Sequence, residues 1–207
     1  MSMAHDERLA LVDTMTRVGP DAPTLCGEWT VRDLAAHLVL RERRLDAAPG
    51  ITIAAIAPYT ERVQASIATR PFPDLLDLVR TGPPLWSPMR PLDAVLNFGE
   101  MFIHHEDVRR AGPAWEPREL DAPRQDAVWA IATRMGRMTY RKAPCTVVLV
   151  RPTGERAVVH RSGGGEVVLR GEPAELALHA FGRDAVRLEA DGPAAAVAAV
   201  SARRRSI

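Results

Sequence analysis

The stretch Phe98-Gly99-Glu100-Met101-Phe102-Ile103-His104-His105-Glu106-Asp107 sets a carboxylate and an imidazole four residues apart within a largely apolar run. On an α-helix, positions i and i+4 stand one above the other on a single face. Leu92, Val95, Leu96, Phe98, Met101, Phe102 and Ile103 cover most of the remaining circumference. Such a helix is largely buried, as in the interior of a bundle. Asp93 and Asn97 fall near the Glu100 face, so a polar stripe runs down the apolar helix. A buried Glu needs a charged or hydrogen-bonded partner.

Two readings of the pair follow. In one, Glu100 and His104 are solvated or bonded to each other. In the other they share a divalent metal, since zinc-type sites draw on these side chains. A third candidate ligand, His37, lies in Thr30-Val31-Arg32-Asp33-Leu34-Ala35-Ala36-His37-Leu38 at the edge of an apolar face. Its alternative reading is a core histidine satisfied by a hydrogen bond. Two His and one Glu leave a metal with open positions, the pattern of a reactive rather than a structural ion. His105 points about 100° away from His104 and is set aside. Asp107, three residues beyond His104, is a weaker alternative ligand.

The 207 residues fit one large domain or a domain with a small appendage, and 46% hydrophobic residues suffice for a core. A net charge of +1 argues against a dedicated nucleic-acid binder. No stretch has the apolar length of a membrane span. The start, Met1 to Arg8, lacks the basic-then-apolar order of a signal peptide, so a cytoplasmic protein is expected. Arg203-Arg204-Arg205 reads as a frayed, solvated tail. Cys26 and Cys145 fall in different segments and form no CxxC pair, so neither a disulfide framework nor a thiolate zinc site is indicated. Cys26 reads as a small buried hydrophobe rather than a nucleophile. Lys142 is the only lysine among 27 basic residues, a bias that fits a GC-rich genome such as an actinobacterium's.

Residues 1–142 read as a bundle of four main helices. His5 to Val18 carries Leu9, Val12 and Met15 at helical spacing. Thr30-Val31-Arg32-Asp33 resembles a capping box and opens a helix to about Ala47, with Trp29 packing back on Leu34 or the Arg32 stem. Tyr59–Thr69 and Pro73–Arg80 are shorter helices. Thr81–Pro84 and Ser87–Pro91 are loops around Trp86, and Pro91 suits the first turn of the helix that carries Glu100 and ends near Gly112-Pro113. A last helix spans about Pro123 to Tyr140.

After Pro144 the period changes to that of strands, giving a small α/β domain over 143–207. Thr146–Val150 and Arg156–His160 flank Pro152-Thr153-Gly154-Glu155, a hairpin signal. Gly163-Gly164-Gly165 lacks the spacing of a phosphate loop and reads as a turn into a strand, Glu166–Arg170. A helix from Pro173 to Phe181, a fourth strand at Val186–Glu189 and an Ala-rich helix from Pro193 complete the fold class, α+β.

Cys26-Gly27-Glu28-Trp29-Thr30-Val31-Arg32-Asp33-Leu34-Ala35-Ala36-His37-Leu38, followed by Glu100-x-x-x-His104 and Asp107, resembles the DinB-like metal-binding four-helix bundles. The branch it is most similar to is that of mycothiol-dependent maleylpyruvate isomerase and its actinobacterial relatives. Gly171-Glu172-Pro173-Ala174-Glu175-Leu176 through Phe181-Gly182-Arg183 is similar to that family's small C-terminal domain. The resemblance implies zinc, or another divalent metal, on His37, Glu100 and His104, the trio that the spacing also selects. It further implies mycothiol as cofactor, and Arg183 at a family Gly-Arg position as an anchor for an anionic substrate or cofactor group. The other reading of Arg183 is a surface residue after a helix-ending Gly.

Zinc bound by two neutral imidazoles and one carboxylate keeps a net charge of +1 and favours an anionic fourth ligand. A thiol entering there is held as thiolate, the nucleophilic form. The expected protein is therefore a metal-dependent thiol transferase or isomerase acting on a small electrophile, as a monomer or homodimer. The alternatives are a metal hydrolase using metal-bound water and a non-catalytic metal- or ligand-binding module. Without metal, an unpaired buried Glu100 is costly, so Glu100→Gln is expected to raise stability.

Overall fold

Thr30 and Asp33 form the capping box that their spacing predicts. The Thr30 N–H donates to Asp33 Oδ2 at 2.9 Å, and the Asp33 N–H donates to Thr30 Oγ1 at 3.3 Å. The cap satisfies two orphan donors and starts α2 (Val31–Arg43). The structure, a computed structural model, describes residues 2–84 and 93–202, with the side chains of 93–96 excepted. The expectations for Trp86, Ser87–Pro91, Leu92 and Arg203–Arg205, and for the side chains of Asp93, Val95 and Leu96, lie outside the described residues.

Contacts divide the chain into two compact units, Met1–Glu116 and Pro117–Ile207. The first contains α1 (Met3–Val18), α2, α3 (Ala57–Ala68), α4 (Phe72–Thr81) and α5 (Asp93–Arg109), with short 3₁₀ turns at Ala48–Ile51 and Ala54–Ile56. α1 packs on α5 and α4, and α2 packs on α3 and α4. Leu11, Val12 and Met15 of α1 share a core with Leu34 and Leu38 of α2, Leu75 and Val79 of α4, and Met101 and Val108 of α5. Each fully buried leucine contributes roughly 2 kcal/mol through removal from water. α2 ends at Arg43, short of the expected Ala47. Arg44 leaves the helical region at φ −122°, ψ 72°, and its guanidinium turns to Asp46 and Tyr59.

The second unit holds α6 (Ala122–Thr139), α7 (Pro173–Ala180), α8 (Ala194–Ser201) and a sheet of order β2-β1-β3-β4. Its strands are β1 (Cys145–Val150), β2 (Arg156–Gly163), β3 (Glu166–Arg170) and β4 (Glu189–Asp191). The division falls earlier than the boundary at 142 drawn from the change of period, because α6 packs on α7 and β2. Tyr140, just past α6, bonds His179 Nδ1 at 2.6 Å, and both are buried.

β1 and β2 form the expected antiparallel hairpin, whereas β1 and β3 run parallel. The segment Gly163-Gly164-Gly165 therefore carries the chain from one side of β1 to the other. A Cβ on Gly164 would stand 2.0 Å from the Pro144 carbonyl oxygen, so the crossing requires glycine. The fourth strand is displaced from the expected Val186–Glu189. The Arg187 N–H is taken by the Glu175 carboxylate at 2.6 Å, and pairing with β3 begins at Arg170↔Glu189. That strand is exposed throughout, so backbone pairing rather than hydrophobic pattern sets it. Among the described residues no helix is long and apolar enough to cross a membrane.

Candidate metal centre

His37 occupies the second turn of α2 and is buried at 6% exposure. Glu100 and His104 lie one turn apart on α5. The structure brings all three to one point. His104 Nε2 is 3.2 Å and His37 Nε2 is 3.7 Å from Glu100 Oε1. One ligand atom from each residue lies within 4.8 Å of the others. In a tetrahedral site with ligand distances near 2.0–2.1 Å, neighbouring ligand atoms stand ~3.3–3.4 Å apart. The trio fits a zinc-type ion in donor type and nearly in spacing. The Glu100 side chain is 23% exposed, so the point of convergence opens to solvent on its side.

The opposite side of His104 is dry. Its Nδ1 lies 3.0 Å from Asp107 Oδ2, and the Asp107 side chain is fully buried. Cys26 donates its thiol proton to the same Oδ2 at 3.0 Å, with Sγ 3.7 Å from Nδ1. The loop that brings it there is tied to α5 by the Leu25 N–H, which donates to the Asp107 carbonyl at 3.0 Å. Its turn is closed by the Trp29 N–H on the Cys26 carbonyl, with Gly27 at φ +65°. Cys26, half-buried, is therefore a neighbour of the candidate centre as well as a packing group. Trp29 packs on the His37 ring at 5.0 Å between centroids and against the core that includes Leu34.

Arg41 stands one turn after His37 on α2. Its Nε lies 3.4 Å from Glu100 Oε1, and its NH1 donates to Asn97 Oδ1 at 2.6 Å. Asn97, the buried member of the polar stripe, also reaches Glu42, which is paired with Arg8. Sequence reasoning passed over Arg41; its spacing of four from His37 on one helix is the signal that puts it near the site, but that spacing does not give the direction of its guanidinium. His105 turns away from the centre, bonding Glu7 at 2.7 Å and Thr14 at 2.9 Å.

These contacts make the three candidate ligands unequal. Burial, with the nearby charges of His104 and Arg41, lowers the pKa of His37 against the opposing effect of its hydrogen bond to Glu100 and that carboxylate's charge. For His104 burial works in the same direction, but bonds to Asp107, Cys26 and Glu100 overcome it and hold the pKa well above the usual value. For Glu100 burial acts to raise the pKa, and the bonds to His104 and His37 with the charges of His104 and Arg41 hold it well below the carboxylate range. His37 thus offers a neutral nitrogen, Glu100 a charge, and His104 a nitrogen that gives up a proton on ligation.

Arg183 lies in the second unit, half-buried, and its NH1 donates to the Phe181 carbonyl at 2.7 Å.

No family model matches the chain, and a search of curated proteins gives no significant match. Among solved structures the chain is similar to the crystal structure of the mycothiol-dependent maleylpyruvate isomerase. The TM-score is 0.57 over 91% of this chain and 90% of that one, at 14% identity. At that identity the likeness establishes the fold, which is the DinB-like α+β arrangement expected from the sequence.

Proposed function

We propose that His37, Glu100 and His104 hold a divalent metal, zinc by donor set, and that the protein is a thiol-dependent transferase or isomerase. The observation that carries this reading is the convergence of three ligand atoms within 4.8 Å on the solvent-open side of His104. A zinc ion there supplies a Lewis acid that favours the thiolate form of an entering thiol. Glu100 contributes the single negative charge of the donor set. His37, held neutral by burial, has no net proton to release when it binds a metal. His104 is held between Glu100 and Asp107, which fixes its ring in the site. Arg41 adds a positive charge on the exposed side, beside Glu100, and favours an anionic ligand. The fold shared with the mycothiol-dependent maleylpyruvate isomerase supports mycothiol as the thiol, with a small electrophile as its co-substrate. Arg183 is carried as a candidate contact for an anionic group on the strength of the family resemblance.

The test begins with metal analysis of the protein as purified, followed by incubation of the zinc-loaded form with mycothiol and an electrophile. A thiol adduct or an isomerised product, read by mass, supports the reading. A hydrolysis product formed without thiol assigns the centre to hydrolysis instead. Tight metal binding with no turnover in either assay leaves a binding module and sinks the catalytic claim.

A further inference from the structure

We infer that Asp107 is the positioning residue of this centre, fixing His104 as the tautomer whose Nε2 lone pair faces the metal; the inference rests on the metal reading above. His104 is gripped at both ends, Nε2 by Glu100 at 3.2 Å and Nδ1 by Asp107 at 3.0 Å. A neutral imidazole carries one N–H, and an ionised carboxylate only accepts. Both carboxylates accept from the ring in the metal-free protein. Glu100 is itself a candidate ligand and would turn to the metal, whereas Asp107 is not and would hold the one remaining proton on Nδ1, leaving Nε2 as the ligating atom. A carboxylate behind a metal-bound histidine sets both ring orientation and tautomer in this way.

The surroundings of Asp107 suit that task. Its side chain has no exposure, so its bond to Nδ1 meets no competition from water. Its Oδ2 takes the Cys26 thiol proton as well, a second donor to the same oxygen. Cys26, His104 and Asp107 are close enough to one another to be mistaken for a metal site of their own. They are hydrogen-bonded to one another, and buried Asp107 with half-buried Cys26 backs the outer trio behind His104. His37 has no such backing. Its Nδ1 is buried with no hydrogen-bond partner among the described residues, and its ring rests against Trp29 instead. The tautomer control of the centre thus falls on His104 alone.

Asp107→Asn discriminates this role from a merely structural one. The amide is isosteric but can donate to Nδ1, which drives the proton to Nε2 and blocks the ligating position. Zinc affinity of this variant should fall roughly 10–100-fold, the loss typical of orienting partners. Nitrogen NMR of histidine-labelled protein should show His104 with Nδ1 protonated and Nε2 on zinc in the wild type, and Nε2 protonated in neutral, metal-free Asp107→Asn. Asp107→Ala should lose affinity too, whereas Cys26→Ser, which keeps a donor to Asp107, should bind zinc like the wild type. Wild-type affinity in Asp107→Asn overturns the inference while leaving the metal reading intact. So does a loss of affinity with the tautomer unchanged, or a second zinc equivalent that disappears in Cys26→Ser. A wild type that binds no zinc overturns both readings.

Discussion

His37 on α2 and Glu100 on α5 meet at 3.7 Å, and the Glu100 oxygen that faces His37 also faces His104 at 3.2 Å and Arg41 at 3.4 Å. One carboxylate oxygen is thus the common partner of two imidazoles and a guanidinium. This corrects the expectation that Glu100 without metal is an unpaired buried charge.

The correction reverses the predicted effect of Glu100→Gln. Removing the charge leaves protonated His104 and Arg41 facing a neutral amide, so metal-free protein should lose about 1–2 kcal/mol of stability near pH 7, as for a charge-assisted hydrogen bond. Urea unfolding of the chelator-treated variant checks this. A gain in stability would restore the unpaired-carboxylate view.

The pH dependence follows from the signs of the shifts. His104 is raised, so in metal-free protein its stabilising contribution is complete below its unfolded value of 6.5 and is lost as pH rises through the folded value. Glu100 is depressed, so its contribution is present above 4.5 and is lost as pH falls through its lowered value. His37 is lowered, and stability declines as pH falls below 6.5, where only the unfolded chain takes up its proton. The alkaline decline should vanish in His104→Ala. Zinc binding at pH 7 should release about one proton, mainly from His104. Calorimetry in buffers of different ionisation enthalpy measures that count, and a count of zero would contradict it.

Replacing His104 by Ala removes one of three ligands and should cut zinc affinity by orders of magnitude. His105→Ala should keep one equivalent of zinc but lower stability by about 1–3 kcal/mol, because it removes the buried hydrogen bonds of His105 to Glu7 and Thr14. Equal loss of metal in the two variants would defeat the assignment of the trio.

Arg8 and Glu42 form a bidentate pair at 2.6 and 3.0 Å, with both side chains almost fully buried. Glu42→Ala should therefore destabilise the first unit by about 3–5 kcal/mol, since Arg8 keeps a buried charge without its carboxylate. A double replacement by apolar side chains of similar volume should recover most of that loss. Thermal unfolding of the single and double variants tests both statements, and a mild single-variant effect would show that solvent reaches Arg8.

The sequence by itself determined the elements whose causes are local. The Thr30–Asp33 cap starts α2, the four-residue spacing puts Glu100 and His104 on one face, and alternation with a Gly154 turn makes the β1–β2 hairpin. Each depends on residues within a few positions of one another, so pattern and propensity reach it. What only the tertiary structure decided lies between elements. β4 begins at Glu189 because the β3 edge and the Glu175 carboxylate set its register. Cys26 lies against Asp107 because a loop is tied to α5 by one backbone bond. His37 and Arg41 of α2 and His104 of α5 meet at one Glu100 oxygen because the packing of the first unit brings side chains of the two helices within reach. Such contacts join residues far apart in the chain, and their geometry is fixed by packing that no local spacing encodes.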